Sequence, residues 1–443
     1  MAGSSPGRAS ILLASCVGTS IEWYDYYIFN SAAALVFGQL FYPSFSPVAG
    51  TLAAFGTFAM GFLARPLGGA VIGHFGDRVG RKSMLVLTLM LAGVSTFLIG
   101  LLPTYATIGI AAPVLLVLLR LAQGFGVGGE WGGALLVATE HASPRRRAVY
   151  GSFAQFGVPI GVLTSNLVFL FAVAVSGDNL RAWGWRIPFL LSIVLLVVGM
   201  IVRRKLNESP EFQRVKERNE TSRLPLATLL RERPLTLVLA SVAAIASPAV
   251  GYTVIVYMLS YGTAIGFSHS TLLTLILLSA VLWIAMIYVA ARWADRWGSR
   301  RIYAIGTAAA VLWAFPLFLL VNTRNTFAAL VAFMVAGVVQ ALMAGAQGSL
   351  FTEIFDTRTR FSGASIAYQL GGLVGGAVTP LAATALFAAY HSSSAVSIYL
   401  GLVCSLSLVA LLVLRVPATG PGAATPTEKN VGTTGELSGS SGA

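Results

Sequence analysis

Gly76-Asp77-Arg78-Val79-Gly80-Arg81-Lys82 is a short charged stretch, punctuated by glycine and set between two long apolar runs. It returns as Ala294-Asp295-Arg296-Trp297-Gly298-Ser299-Arg300-Arg301, with Asp295 218 residues after Asp77. A second motif, Thr139-Glu140 with Arg145 and Arg147, returns as Thr352-Glu353 with Arg358 and Arg360, so that Glu353 follows Glu140 by 213 residues. Two unrelated motifs that keep nearly one offset argue for a chain made of two duplicated halves. Gly80 and Gly298 allow a tight turn between antiparallel helices. The aspartates would sit at a membrane surface, where they can accept hydrogen bonds from a helix N-terminus or pair with an arginine. Contacts of that kind can lock one face of a two-bundle protein and release it when the bundles rock. The gating set is Gly73, Asp77, Arg78, Gly80 and Arg81 with Glu140 and Arg145 in the first half, and Asp295, Arg296, Glu353 and Arg358 in the second.

The surrounding sequence decides the solvent. Of 443 residues, 56% are hydrophobic and 10% charged, against about 25% charged in an ordinary soluble domain. So much apolar chain points to the bilayer. Apolar stretches long enough to cross it, about 20 residues each, fall near 10–40, 49–74, 83–102, 109–138, 148–175 and 184–204. A second set falls near 235–263, 271–292, 302–321, 326–350, 362–389 and 395–415. The expected fold is therefore an all-α polytopic membrane protein, with twelve transmembrane helices in two pseudo-symmetric six-helix bundles. The expected organisation is an N-terminal bundle over 1–204, a cytoplasmic central loop over 205–234, a C-terminal bundle over 235–415 and a disordered cytoplasmic tail over 416–443.

The net charge of +13 does not indicate nucleic-acid binding. The basic residues cluster in alternate loops, at 78–82, 145–147, 203–233, 292–301 and 358–360, while the other loops carry little beyond Arg181, Arg186 and Arg324. By the positive-inside rule the basic side is cytoplasmic, and both termini lie there. Leu13-Ala14-Ser15-Cys16 resembles a lipoprotein cleavage site, but the apolar run before it is too short for a signal core, so the N-terminus is expected to be retained. The two cysteines and four scattered histidines have no ligand spacing, and neither a metal nor a cofactor other than the proton is expected. There is no HExxH and no Cys/His cluster, which argues against a membrane-embedded enzyme.

Ionisable residues at membrane depth are functional candidates by default. Five qualify, all in the first half: Glu22 and Asp25 in the first span, Arg65 in the second, Arg120 and Glu130 in the fourth. Glu22 and Asp25 are three apart and share a helix face. Two neighbouring carboxylates in low dielectric resist joint ionisation, which suits a proton site. Asp25, Glu22 and Glu130 are the proton-coupling candidates; the alternative is static pairing with Arg65 or Arg120. Arg65, about eight residues above a helix end expected at His74, is the first candidate for gripping a carboxylate in bidentate fashion. Arg120, Gln123, Tyr26, Tyr252 and Tyr368 complete the candidate substrate set, because a hydroxylated acid needs hydroxyl and amide partners. Gly124, Gly128 and Gly132, and likewise Gly371 and Gly375, recur every four residues, as in closely packed membrane helices.

These motifs resemble the major facilitator superfamily. Its loop signature G-x-x-x-D-R-x-G-R-[RK] is matched by Gly73, Asp77, Arg78, Gly80, Arg81 and Lys82, and its R-x-x-Q-G by Arg120, Gln123 and Gly124. Glu22-Trp23-Tyr24-Asp25-Tyr26, Gly128-Gly129-Glu130-Trp131-Gly132-Gly133, Trp183-Gly184-Trp185-Arg186-Ile187-Pro188-Phe189 and Glu208-Ser209-Pro210-Glu211-Phe212 look like its metabolite–proton symporter family. The resemblance covers about residues 10–415 and implies a carrier working by alternating access. Known relatives take up shikimate, 2-oxoglutarate, citrate, or proline and betaine. This chain is most like the shikimate-type permeases, and its tail shows none of the heptads of the osmolyte branch. The expected protein is a bacterial inner-membrane monomer that imports a small organic acid with protons. The alternative is a symporter for a zwitterionic osmolyte, or an exporter.

Overall fold

The computed structural model describes residues 8–79, 81–128, 146–204, 231, 233–355 and 360–414. Twelve helical segments follow one another in the described residues. The first half comprises α1 (Arg8–Ala32, continued by a π turn at Ala33–Phe37 and by Gly38–Phe41), α2 (Pro47–Val79), α3 (Arg81–Leu101), α4 (Ala111–Val127), α5 (Arg147–Ser176) and α6 (Arg186–Arg204). The second comprises α7 (in pieces from Pro234 to Ala264), α8 (His269–Trp297), α9 (Ser299–Asn322), α10 (Thr326–Ile354), α11 (Arg360–Gly372, a π turn at Leu373–Val378, then Thr379–Tyr390) and α12 (Ser393–Val413). Eight segments are long and apolar enough to cross a membrane, and Val86–Leu101, Ala111–Val127 and Arg186–Ile201 are shorter apolar helices. The remaining one, α1, is less apolar because Glu22 and Asp25 lie inside it. The twelve-helix expectation holds among the described residues. Most of the expected central loop, the tail and the end of the fourth span fall outside them.

Two expectations change. Helix α2 does not end near His74 but winds on to Val79, and α3 starts at Arg81. Nothing in Phe75-Gly76-Asp77-Arg78-Val79 breaks a helix, so only Gly80 is left between the two. Arg65 is therefore 14 residues from the helix end, roughly 20 Å at 1.5 Å per residue. The seventh span is not one helix. It breaks at Ala244–Ile245, between Pro234–Ala243 and Ala246–Tyr252, then widens into a π turn at Thr253–Tyr257. Pro248 supplies the reason: its ring clashes with the carbonyl four residues back, at Ala244, and it has no N–H to donate. The equivalent first helix of the other half also carries a π turn, at Ala33–Phe37.

Within the first half α1 packs on α5 and α6, α2 on α4, and α3 on α4 and α6; in the second, α9 packs on α10 and α12, and α7 on α11 and α12. The halves meet where α5 lies along α8 and α10, and where α2 lies along α11. Glycine permits the tightest of these contacts. A Cβ on Gly124 would stand 2.0 Å from the Gly61 carbonyl oxygen, and one on Gly128 only 1.9 Å from that of Arg65. On the other side a Cβ on Gly375 would stand 2.3 Å from the Ile245 oxygen. The four-residue glycine spacing is thus a packing device that lets α2 and α4, and α7 and α11, touch backbone to backbone. At the loop between α8 and α9, Gly298 adopts φ +95°, a conformation that other residues rarely accept.

Buried arginines and carboxylates at the junction of the two bundles

The candidate site grows from the middle of α1. Glu22 and Asp25 are both buried there, one turn apart on one face. Oδ1 of Asp25 has no hydrogen-bond partner, and Glu22 and Arg120 act on this carboxyl electrostatically. Arg65 enters from α2, where the Gly128 contact pulls the α2 backbone against α4. It is buried, and its Nε and Nη2 atoms have no hydrogen-bond partner. Its guanidinium carbon lies 4.2 Å from the Tyr26 ring centre, 4.6 Å from Phe62 and 5.8 Å from Trp23. Glu22, Tyr252 and Tyr368 are close enough to set its electrostatic surroundings.

Arg120 sits differently. It is fully enclosed, with its guanidinium carbon 4.0, 4.3 and 4.8 Å from the rings of Tyr26, Phe29 and Phe58. It donates to the Gln123 amide oxygen and, at 3.4 Å, to the Phe58 carbonyl. Gln123 in turn donates to the Thr96 hydroxyl at 2.8 Å and to the Asp25 carbonyl at 3.4 Å. Arg120 and Gln123 therefore form a layer behind the rings and do not reach the central space. Neither of these two members of the expected substrate set lines the central cavity. The Tyr26 ring, packed against both guanidiniums, separates that layer from the front.

The central space is small. A cavity of about 30 Å³ lies between the bundles, lined by Trp23 and Tyr27 of α1, Gln155 of α5, and Ser247, Tyr252, Trp283, Gln340, Gln347 and Tyr368 of the second half. That volume takes one or two waters. Aromatic rings do the closing. Tyr252 of the second half fits among Tyr27, Phe58 and Phe62 of the first, at 6.1, 5.7 and 5.8 Å between ring centres. Gly376 makes room, because a Cβ there would stand 2.9 Å from both Phe62 and Tyr252. Of the expected substrate residues, Tyr252 and Tyr368 line the cavity, while Tyr26 and Arg65 stand one ring behind it. Gln155 and Trp283 were not anticipated. Gln155 is one of two amides in an apolar span, with Asn166, and lies four residues before Pro159; an amide within such a span is the signal that could have singled it out. Trp283 offers no such signal, since an indole in an apolar helix reads as packing.

The repeated loop motifs also come together. Asp295, near the end of α8, accepts hydrogen bonds from the N–H of Ala148 (2.8 Å) and of Val149 (3.2 Å), in the first turn of α5 in the opposite half. Those are donors that a helix start leaves free. Ser299 bonds Ser349 at 2.7 Å and approaches Glu353 at 3.5 Å, so both motifs of the second half meet in space. Arg296 is exposed to solvent. The side chains of Asp77, Arg78 and Arg81, and the whole of Gly80, Glu130, Glu140, Arg145 and, in the second half, Arg358, lie outside the described residues, and Gly73 is described only as part of α2. On the opposite surface, Arg186 donates to the carbonyls of Gly100 (2.8 Å) and Leu102 (2.7 Å), capping the end of α3.

Two helical bundles that meet around an occluded polar centre, with a charged latch across one face, define a membrane carrier. The chain belongs to the major facilitator superfamily, whose sequence profile matches residues 15–376, and it is a secondary transporter, not an enzyme. It is 42% identical over 413 residues to the inner membrane metabolite transport protein YhjE of Escherichia coli K12, covering 91% of this chain and 93% of that one. To the shikimate transporter of the same organism it is 40% identical over 409 residues, with the same coverage. Identity to the Escherichia coli K12 proline/betaine transporter is 31%, covering 93% of this chain and 84% of that one. The fold is similar to a crystal structure of a D-xylose–proton symporter, with a TM-score of 0.74, 21% identity, and 93% and 98% of the two chains covered.

Proposed function

We propose that this protein imports a small organic acid together with protons, by alternating access across a bacterial inner membrane, with both termini cytoplasmic. The observation that carries the reading is Arg65: a buried guanidinium with two unpartnered nitrogen atoms, one ring from the central cavity and in the field of Glu22. A guanidinium in that setting is a ready partner for a carboxylate. Charge balance supplies the proton. Glu22 and Asp25 offset Arg65 and Arg120 among the described residues of this centre, so an arriving anion leaves one excess negative charge in low dielectric. Protonating Asp25, Glu22 or Glu130 removes it. The loaded centre is then neutral and can cross to the other side.

The gate follows from the Asp295 contact. It ties α8 to the start of α5 and holds the cytoplasmic side shut while the opposite side binds substrate. Release of that contact, together with withdrawal of Tyr252 from the Phe58–Phe62 pocket, opens the inward path. The similarity to metabolite and shikimate carriers favours an organic acid, and that to a proline/betaine carrier keeps a zwitterion as the competing substrate.

The test is uptake into proteoliposomes under an imposed inward proton gradient, using radiolabelled shikimate, quinate, 2-oxoglutarate, citrate, proline and betaine with and without a protonophore. Accumulation of an acid that the protonophore collapses, and that Arg65→Ala abolishes, is the expected result. Betaine as the sole substrate, or accumulation indifferent to the protonophore, overturns the proposal.

A further inference from the structure

The cavity between the bundles is polar but uncharged. None of its lining residues is ionised at neutral pH. A neighbouring cavity of about 20 Å³ shares Gly251, Trp283 and Gln340 with it and is equally free of charge. The second half has no Asp, Glu, Lys or Arg over 234–291, 302–323, 325–352 or 361–414. Nothing from α7 to α12 can therefore bring a cation to the centre of the membrane. Arg65 is the one described cation beside the cavity, and Arg120 is sealed behind Tyr26 and Phe58.

The same lining holds a group of buried polar atoms without hydrogen-bond partners: Nε2 of Gln155, Nε2 of Gln347, Nε1 of Trp283, Nε1 of Trp23, Oη of Tyr252 and Oε1 of Gln340. Buried polar groups are nearly always paired, and so many orphans on one small cavity mark the place where a ligand completes the set. They come from α1, α5, α7, α8 and α10. Most of the orphans are donors. Neutral donors with one amide acceptor suit hydroxyl and carbonyl oxygens; they do not compensate the desolvation of a full negative charge.

We propose that the substrate is a monocarboxylate whose other polar groups are uncharged hydroxyl or oxo oxygens, and that Gln155, Gln340, Gln347 and Trp283 form the subsite that reads this uncharged part. The inference rests on the organic-acid reading above and narrows it. The single carboxylate goes to Arg65, and the remainder of the molecule extends toward α8 and α10. A dicarboxylate or tricarboxylate leaves a second anion facing amides and indoles, which weakens its binding. A plain hydrocarbon acid leaves the orphans unpaired. A site built to bond a hydroxyl rejects the analogue that lacks it far more strongly than an apolar pocket rejects an extra methylene.

Binding to the purified full-length protein in detergent, measured calorimetrically, tests this with three probes: quinate, cyclohexanecarboxylate and succinate. Quinate is expected to bind at least ~10-fold tighter than either of the others, the equivalent of one net buried hydrogen bond or more. Gln340→Leu and Gln347→Leu are each expected to weaken quinate ~5–10-fold while changing cyclohexanecarboxylate less than twofold, because only the hydroxylated ring uses the amides. If either variant unfolds, the wild-type selectivity among the three acids decides the matter alone. Succinate binding tightest, or a quinate preference unchanged in both folded variants, overturns the subsite while leaving acid transport standing. Failure of all three acids together with binding of betaine overturns both this inference and the reading beneath it.

Discussion

Replacing Asp295 by asparagine separates the cytoplasmic latch from the rest of the fold. The carboxylate takes the N–H groups of Ala148 and Val149 at 2.8 and 3.2 Å, across the junction of the halves. A hydrogen bond to a charged group contributes about 1.5–3 kcal/mol, and a negative charge at a helix N-terminus adds about 0.3–1 kcal/mol. Asp295 is only half-buried, so solvent screens part of this, and ~1–3 kcal/mol is a fair value for the whole contact. Asparagine keeps one acceptor oxygen, turns an NH₂ group toward the other N–H and removes the charge. If the proposed gate is right, the contact is made only while the cytoplasmic side is shut, and its loss weakens that state alone. A differential of this size moves the equilibrium about 5–150-fold toward the cytoplasm-open form. Spin labels at Ile201 on α6 and Ile305 on α9, which are 51% and 55% exposed and lie in opposite halves, near the helix ends on the Asp295 side, report the change as pulsed-EPR distances in nanodiscs. A longer-distance population should grow in Asp295→Asn at an unchanged melting temperature. An unaltered distance distribution would refute the latch.

Other expectations follow from single contacts. Gly128→Ala puts a methyl group 1.9 Å from the Arg65 carbonyl, and backbone cannot yield cheaply; thermal unfolding in detergent should show a loss of at least ~1–3 kcal/mol. Gly56→Ala, whose Cβ meets nothing within 4 Å, should leave stability unchanged or raise it by up to ~1 kcal/mol through helix propensity. Arg186→Ala frees the Gly100 and Leu102 carbonyls and should cost ~1–3 kcal/mol in the same assay. Asp25→Asn removes the proposed proton carrier but keeps the shape of α1, so counterflow exchange of substrate should survive while gradient-driven accumulation falls at least tenfold; unimpaired accumulation would move the proton to Glu22 or Glu130.

Much of this protein was legible before any coordinate. The period and length of apolar runs placed twelve helices, because a bilayer leaves a buried backbone few options but to bond within its own helix. The glycine spacings marked α4 and α11 as helices that pack closely, since a missing Cβ allows backbone contact; which helices they touch came from the structure. The repeated Asp-Arg-x-Gly loops told of two halves, and the rarity of charge at membrane depth singled out Glu22, Asp25, Arg65 and Arg120. Other features lay beyond a linear reading. The break in α7 depends on a local clash at Pro248, and α2 and α11 carry proline without being split in the same way. That Arg65 faces the cavity while Arg120 is walled off behind Tyr26 depends on where a ring from α1 falls between two helices. Gln155 on α5, Trp283 on α8, and Gln340 and Gln347 on α10 are polar residues scattered over three apolar helices. Only the folding of α5, α8 and α10 onto one another brings their unpartnered atoms to a common cavity. Composition and periodicity determine which residues leave water, because that is a property of each segment taken singly. Which of the buried polar groups face one another is a property of pairs distant in sequence, and tertiary packing alone decides it.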